Sequence, residues 1–231
     1  MNWICGRGLR LGELPHTRRL FVTANIEFFY DVLSPAAYLA WTQLDSLVRR
    51  TGAQICYRPV LLGGLLKSSG NVGPLTVPAK RAYITRDIPR CAQQLGVPFH
   101  WNPHFPFNPL PALRGAVSCR PGGEIERYTA LVYRAAWERA LNIADLATLT
   151  DVLSAGGFDA EDVAKRIQRP EIKQALIDNT EEAVQRGAFG VPTLFVEDEM
   201  FFGHDRISAV EWYIARNKGS QCPTAGLSQS P

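Results

Sequence analysis

The stretch FYDVLSPAAYLA sets Ser34 and Pro35 between an apolar run ending at Asp31 and a helix-like apolar pattern. Serine is a favoured N-cap and proline a favoured first helical residue, so the pair reads as a helix start. Such a start presents unpaired backbone N–H groups and a partial positive charge. A thiol held there becomes more acidic, because the field favours the thiolate. Ser34 cannot undergo thiol oxidation. The chemistry open to it is a hydroxyl hydrogen bond beside an anion. On residue chemistry alone, an ordinary helix cap is the simpler reading.

Other residues that could take part in chemistry are scattered along the chain. Val191-Pro192 is an X-Pro step where a loop meets a strand pattern. In FFGHDR, His204 and Asp205 stand just before the last helical segment, where they could cap it or direct free N–H groups at an anion. Asn71 lies in the turn SSGN, and Lys80 opens the next helix after Pro78. A lone lysine is usually a solvated surface residue, and Lys67 is a rival cation. The four histidines, His16, His100, His104 and His204, offer no HExxH-type spacing, so no metal site is expected. The five cysteines, Cys5, Cys56, Cys91, Cys119 and Cys222, contain no CxxC pair. Their odd number and scatter argue against a disulfide framework and for free thiols in a reducing compartment.

The elements that must position these residues follow from periodicity. Residues 26–30 read as a buried strand, 34–50 as a helix stopped by Gly52, and 54–59 as a second strand. That β-α-β order predicts a parallel pair. Residues 61–78, rich in Gly, Ser and Pro, read as a loop. Helical spacing then runs over 80–95, 110–120, 124–141, 146–155, 160–167 and 171–186. Between the first two, GVPFHWNPHFPFNPLP holds five prolines and cannot be a regular helix. Its aromatic residues could line an apolar pocket or simply pack inward. Residues 193–196 and 199–202 read as a hairpin turning at Glu197-Asp198, and 207–216 as a closing helix.

The composition is that of a soluble globular chain: 231 residues, 46% apolar and 20% charged. A net charge of +3 without a basic cluster gives no reason to expect nucleic acid as a partner. No apolar run is long enough to span a membrane. Residues 1–25 lack the apolar core of a secretory signal, and four arginines against one acid make them only faintly like a transit peptide. A cytoplasmic protein with an N-terminal extension (1–25) and a flexible tail (218–231) is expected.

With the helical block set aside, a small four-stranded sheet with flanking helices remains. This is the layout of a thioredoxin-like α/β core (26–62 and 187–217) with an all-helical insertion (63–186). FYDVLSPAAYLA, LLGGLLKSSGN, VPAKRAYITRDIPR, GVPF, FNPLPALRGA, GAFGVPTLFV and FFGHDRI, in this order over about residues 26–216, resemble the 2-hydroxychromene-2-carboxylate isomerases. They also resemble their DsbA-like relatives, the kappa-class glutathione transferases. The resemblance implies glutathione as cofactor, with Ser34 hydrogen-bonding its sulfur. It implies a cis peptide at Val191-Pro192, an isomer that only about 5–6% of X-Pro bonds in folded proteins adopt. The backbone beside that bond would pair with the glutathione main chain. Asp205 would meet the γ-glutamyl end, His204 would contribute only backbone, and Asn71 and Lys80 would lie near the glycine carboxylate and the substrate acid. The implied reaction interconverts a 2-hydroxychromene-2-carboxylate and a trans-o-hydroxybenzylidenepyruvate in aromatic breakdown, on a small aromatic carboxylate and in a homodimer. Net glutathione transfer or peroxide reduction is the alternative enzyme reading, and a non-catalytic thioredoxin-fold module is the third. Ala36 and Ala37 replace bulkier residues of many relatives, which implies a wider pocket floor.

Overall fold

The computed structural model describes residues 24–120 and 123–218. The expected extension and tail therefore lie almost wholly outside the described residues. β1 (Asn25–Tyr30) is buried at Ile26 and from Phe28 to Tyr30, as suits a central strand. It pairs in parallel with β2 (Gln54–Pro59) and antiparallel with β3 (Thr193–Val196), which pairs antiparallel with β4 (Glu199–Phe202). The strand order is β2-β1-β3-β4. The β-α-β and hairpin expectations hold, with strand bounds within one residue of those read from the sequence.

This topology gathers four connections at one end of the sheet. The C-terminal ends of β1, β2 and β4 and the N-terminal end of β3 all lie there. The crossover from β1 to β2 is α1 (Pro35–Thr51), whose Tyr38, Leu39, Leu44 and Leu47 are buried and whose C-cap is Gly52 in the left-handed region. The closing helix α9 (Ile207–Lys218) packs against α1.

Residues 61–78 differ from the loop expectation. Leu62–Ser69 form a helix, α2, and a single 3-10 turn follows at Pro74–Thr76. Gly63 and Gly64 lower the helical propensity of this stretch. Tertiary packing overrides it: a Cβ on Gly64 would lie 2.9 Å from the Thr180 methyl. Backbone and helix therefore meet closely there, and Thr180 Oγ1 accepts the Leu61 N–H at 3.0 Å.

The helical block continues with α3 (Pro78–Leu95), α4 (Leu110–Ser118), α5 (Gly123–Tyr133), α6 (Leu146–Ala155), α7 (Ala160–Arg166) and α8 (Pro170–Gln185). The segment expected to continue α5 widens into one π-helical turn at Arg134–Glu138. Tyr30 and Phe28 stack on one face of β1 and meet Tyr57 edge-on. On the other face Phe29 packs on Phe195 beneath the guanidinium groups of Arg58 and Arg186.

Candidate active site

Ser34 caps α1 as its position demands. Its backbone is extended (φ −88°, ψ 115°), and its Oγ accepts the Ala37 N–H at 3.2 Å. The hydroxyl is buried, and its own proton has no acceptor among the described residues. Ala37 is fully buried and Ala36 partly so.

The Val191-Pro192 bond is cis. Thr193 pairs with Phe29, so Val191 and Pro192 lie beside the β1–α1 turn that carries Ser34. Among the described residues, the Val191 N–H and C=O make no hydrogen bond. Buried backbone groups are rarely left without partners, and Val191 is only 6% exposed. This is the edge an extended ligand backbone can fill by adding a short strand. The Pro192 C=O accepts the Gly203 N–H at 3.0 Å, which ties the β4–α9 connection to the same end.

His204 and Asp205 sit in a single 3-10 turn, His204–Arg206. The His204 C=O accepts from Gln43 Nε2 on α1 at 2.9 Å. Burial lowers the imidazole pKa, against the opposing pull of Asp205 and Asp87. The Asp205 carboxylate is 60% exposed and pairs with Arg206 at 3.1 Å, leaving it open to a ligand amine. The structure thus brings Ser34, Val191, Pro192, His204 and Asp205 to one end of the sheet.

Asn71 and Lys80 stand on neighbouring elements. Asn71 is exposed just past α2, and its side-chain oxygen accepts the Gly73 N–H at 3.0 Å. Lys80 is exposed in the first turn of α3 and has no ion-pair partner among the described residues. The far half of α3 reaches the site, since Asp87 interacts electrostatically with His204 and Asp205 with Cys91. Lys80 lies two helical turns from Asp87, about 10 Å along the axis. Lys67 is exposed in the last turn of α2. A cleft of about 410 Å³ follows α3, lined by Pro78, Arg81, Ala82, Thr85 and Arg86.

The aromatic stretch packs inward. The rings of Phe99, Trp101, Phe105 and Phe107 surround the fully buried Trp137, with centroids within 6.2 Å. Trp137 Nε1 donates to the Val32 C=O at 3.0 Å, so this cluster braces the turn before Ser34. Sequence reasoning missed Asp31, which it read only as a strand end. Its carboxylate is 1% exposed and accepts the Leu33 N–H through one oxygen and the Leu62 N–H through the other, each at 2.9 Å. Burial raises its pKa to about 6 despite those two bonds. The signal was present: an acid directly between Phe29-Tyr30 and Val32-Leu33 has nowhere apolar to hide except by finding donors.

With this geometry in place, the relatives are informative. The DsbA-like thioredoxin domain family matches residues 25–215. The chain belongs to this family. The 2-hydroxychromene-2-carboxylate isomerase of Sphingobium xenophagum is 30% identical over 195 residues, covering 84% of this chain and 99% of its own. Glutathione S-transferase kappa 1 of Homo sapiens is 28% identical, covering 93% and 98%. A solved 2-hydroxychromene-2-carboxylate isomerase superposes with a TM-score of 0.78 at 27% identity, over 87% of this chain and all of the other. Within the DsbA-like family this chain therefore stands with the isomerases and kappa transferases, as the seven motifs implied. A cytosolic disulfide reductase of Pseudomonas aeruginosa solved with GSH shares the fold at 17% identity and TM-score 0.60. Among the described residues no helix is long and apolar enough to cross a membrane, and no cluster of metal-binding side chains occurs.

Proposed function

We propose that this protein is a glutathione-dependent isomerase acting on aromatic carboxylates of the 2-hydroxychromene-2-carboxylate and trans-o-hydroxybenzylidenepyruvate type. The observation that carries the reading is the pairing of two unspent groups at one end of the sheet. Among the described residues, one is the buried Ser34 hydroxyl, whose proton has no acceptor at the start of α1, and the other is the Val191 backbone, which has no hydrogen-bond partner. A peptide-like thiol suits both, because it offers backbone amides to Val191 and a sulfur to Ser34.

Glutathione, when bound, supplies a thiolate that adds reversibly to a conjugated carbon and so permits rotation about a former double bond. The chain's own residues then have distinct tasks. Ser34 donates its O–H to the sulfur, and the first N–H groups of α1 favour negative charge there. Val191 holds the cysteinyl main chain. Asp205 meets the γ-glutamyl amine, with the His204 main chain beside it. Asn71 and Lys80 take the glycine carboxylate and the substrate acid, and Arg81 and Arg86 lend the α3 cleft further positive charge. Work on a small acid by a homodimer in the cytoplasm accords with this reading.

Calorimetric titration should give specific glutathione binding that Asp205→Ala weakens. With a chromene carboxylate the absorbance should change while total glutathione stays constant. Indifference to millimolar glutathione removes the reading. Stoichiometric consumption of glutathione replaces isomerase with transferase, the activity named for the kappa relatives.

A further inference from the structure

We infer that Asp31 is a positioning residue, whose buried carboxylate clamps the Ser34 turn to the first turn of α2 so that the two segments move as one piece. The inference rests on the proposed function for its consequence, though not for its geometry. One carboxylate oxygen holds the Leu33 N–H, one residue before Ser34. The other holds the Leu62 N–H at the start of α2, an N-terminus that no side chain of its own N-cap residue satisfies. The Asp31 backbone C=O accepts the Ser34 N–H at 3.0 Å, so the same residue touches Ser34 directly. Bonds from backbone N–H to a carboxylate are charge-assisted and short. The two N–H donors account for a carboxylate that is only 1% exposed.

What the clamp joins gives it its use. The Ser34 turn is assigned the sulfur end of the cofactor. α2 ends at Ser69, two residues before Asn71, which is assigned the glycine carboxylate end. A ligand gripped at both ends is held in register only if the two grips keep their spacing. Arg or Lys would do nothing here, since both donors are N–H groups and need one acceptor with two faces.

Among the described residues, the groups facing Asp31 carry no charge to rival it. Tyr30 on β1 and Tyr133 on α5 present phenols, and burial holds both well above their usual range. The β1–α1 turn presents the Leu33 N–H and α2 the Leu62 N–H. Protonation near pH 6 puts a hydrogen on one of the two accepting oxygens and weakens that grip. Global stability runs the opposite way. The folded group keeps a proton that the unfolded chain has lost between pH about 4 and 6, so its contribution to stability falls as pH rises through that window. A loosened clamp at low pH is therefore separable from general unfolding.

Asp31→Asn keeps the shape but turns one acceptor into a donor, so at most one of the two bonds survives. In the full chain without glutathione, amide exchange protection at Leu33 or Leu62 should fall at least tenfold, with protection in the core of β1 kept. Glutathione affinity by calorimetry should fall about tenfold, consistent with loss of one charge-assisted bond. Thr129→Val, which removes the buried Tyr30–Thr129 hydrogen bond on the far side of Tyr30, should lower stability without that loss of affinity. Unchanged protection at both amides, or wild-type affinity in Asp31→Asn, overturns the inference. If the wild type ignores glutathione, the proposed function falls and amide exchange still decides the clamp. If Asp31→Asn does not fold, the wild type decides it: protection factors at Leu33 and Leu62 should drop between pH 7.5 and 5 while those of β3 do not. Parallel behaviour of all these amides overturns the inference.

Discussion

Ser34 serves the helix and the chemistry with different atoms. Its oxygen accepts the Ala37 N–H, while its proton is left for a ligand. Substitutions can separate the two. Ser34→Ala loses both, Ser34→Gly loses the hydroxyl at little cost to the cap, and Ser34→Thr keeps both. A hydrogen bond to a charged acceptor is worth about 1.5–3 kcal/mol, so Ala and Gly should both slow turnover roughly ten- to a hundredfold. Only Ala should cost an additional ~1 kcal/mol of stability. The bound thiol should titrate at higher pH in both, read from thiolate absorbance. Equal rates in wild type and Ser34→Gly would reduce the serine to a cap. The positions of Ser34 and Pro35 were legible because a cap and a first-turn proline are local events. For Asp31 the need for buried donors was legible but their identity was not, since its second partner, Leu62, is 31 residues away and no local rule brings the two together.

At the scale of elements, what the sequence revealed and what it hid have a common cause. The hairpin Thr193–Val196 and Glu199–Phe202 and the helix Leu146–Ala155 follow from their own periodicity and match residue for residue. α2 does not follow, because its glycines and serines argue locally for a loop, and the reason for Gly64 sits on α8. The π-helical turn was hidden likewise: Trp137 is placed by the Val32 C=O it must reach and by the rings around it. The two glycines of α2 give a direct check. Gly63 is exposed with nothing within 4 Å of an added Cβ, so Gly63→Ala should stabilise by up to ~1 kcal/mol through helix propensity. Gly64→Ala makes the same gain but drives a methyl onto Thr180. That residue is β-branched, and its Oγ1 is fixed by Leu61 N–H and Leu176 C=O. Overpacking of this kind costs about 1–3 kcal/mol, so the net effect should be destabilising. Denaturant midpoints for the two variants should therefore move in opposite directions. A stabilised Gly64→Ala would mean that α2 is not seated on α8.

The described residues share their fold with a cytosolic disulfide reductase, and the chain sets Ser34, with no CxxC pair, where its first strand hands over to helix. The start of α1 lies at the end of the sheet where the four connections gather, so whatever occupies position 34 sits in the field of the first backbone N–H groups of α1. Among the described residues, no thiol stands at the start of α1, and the thiols present are poorly suited to exchange. Cys56, Cys91 and Cys119 are free, burial raises the pKa of each, and that of Cys119 reaches about 12. Thiolate is the reactive form, so these positions should react slowly at neutral pH. The wild type should accordingly fail to reduce insulin with dithiothreitol as electron donor. Ser34→Cys should change that in one step and only partly. The new thiol should titrate below the ordinary value of about 8.5, because the α1 N-terminus stabilises its anion as it would the thiolate of a bound ligand. It should form a mixed disulfide with oxidised glutathione, detectable as a mass increase that reductant reverses. It should not sustain dithiol turnover, since Ala37 stands where a CxxC motif would hold its second cysteine. A Ser34→Cys thiol with an unshifted or raised pKa would show that the start of α1 lacks the field assigned to it, and the electrostatic part of the proposed function would fall with it.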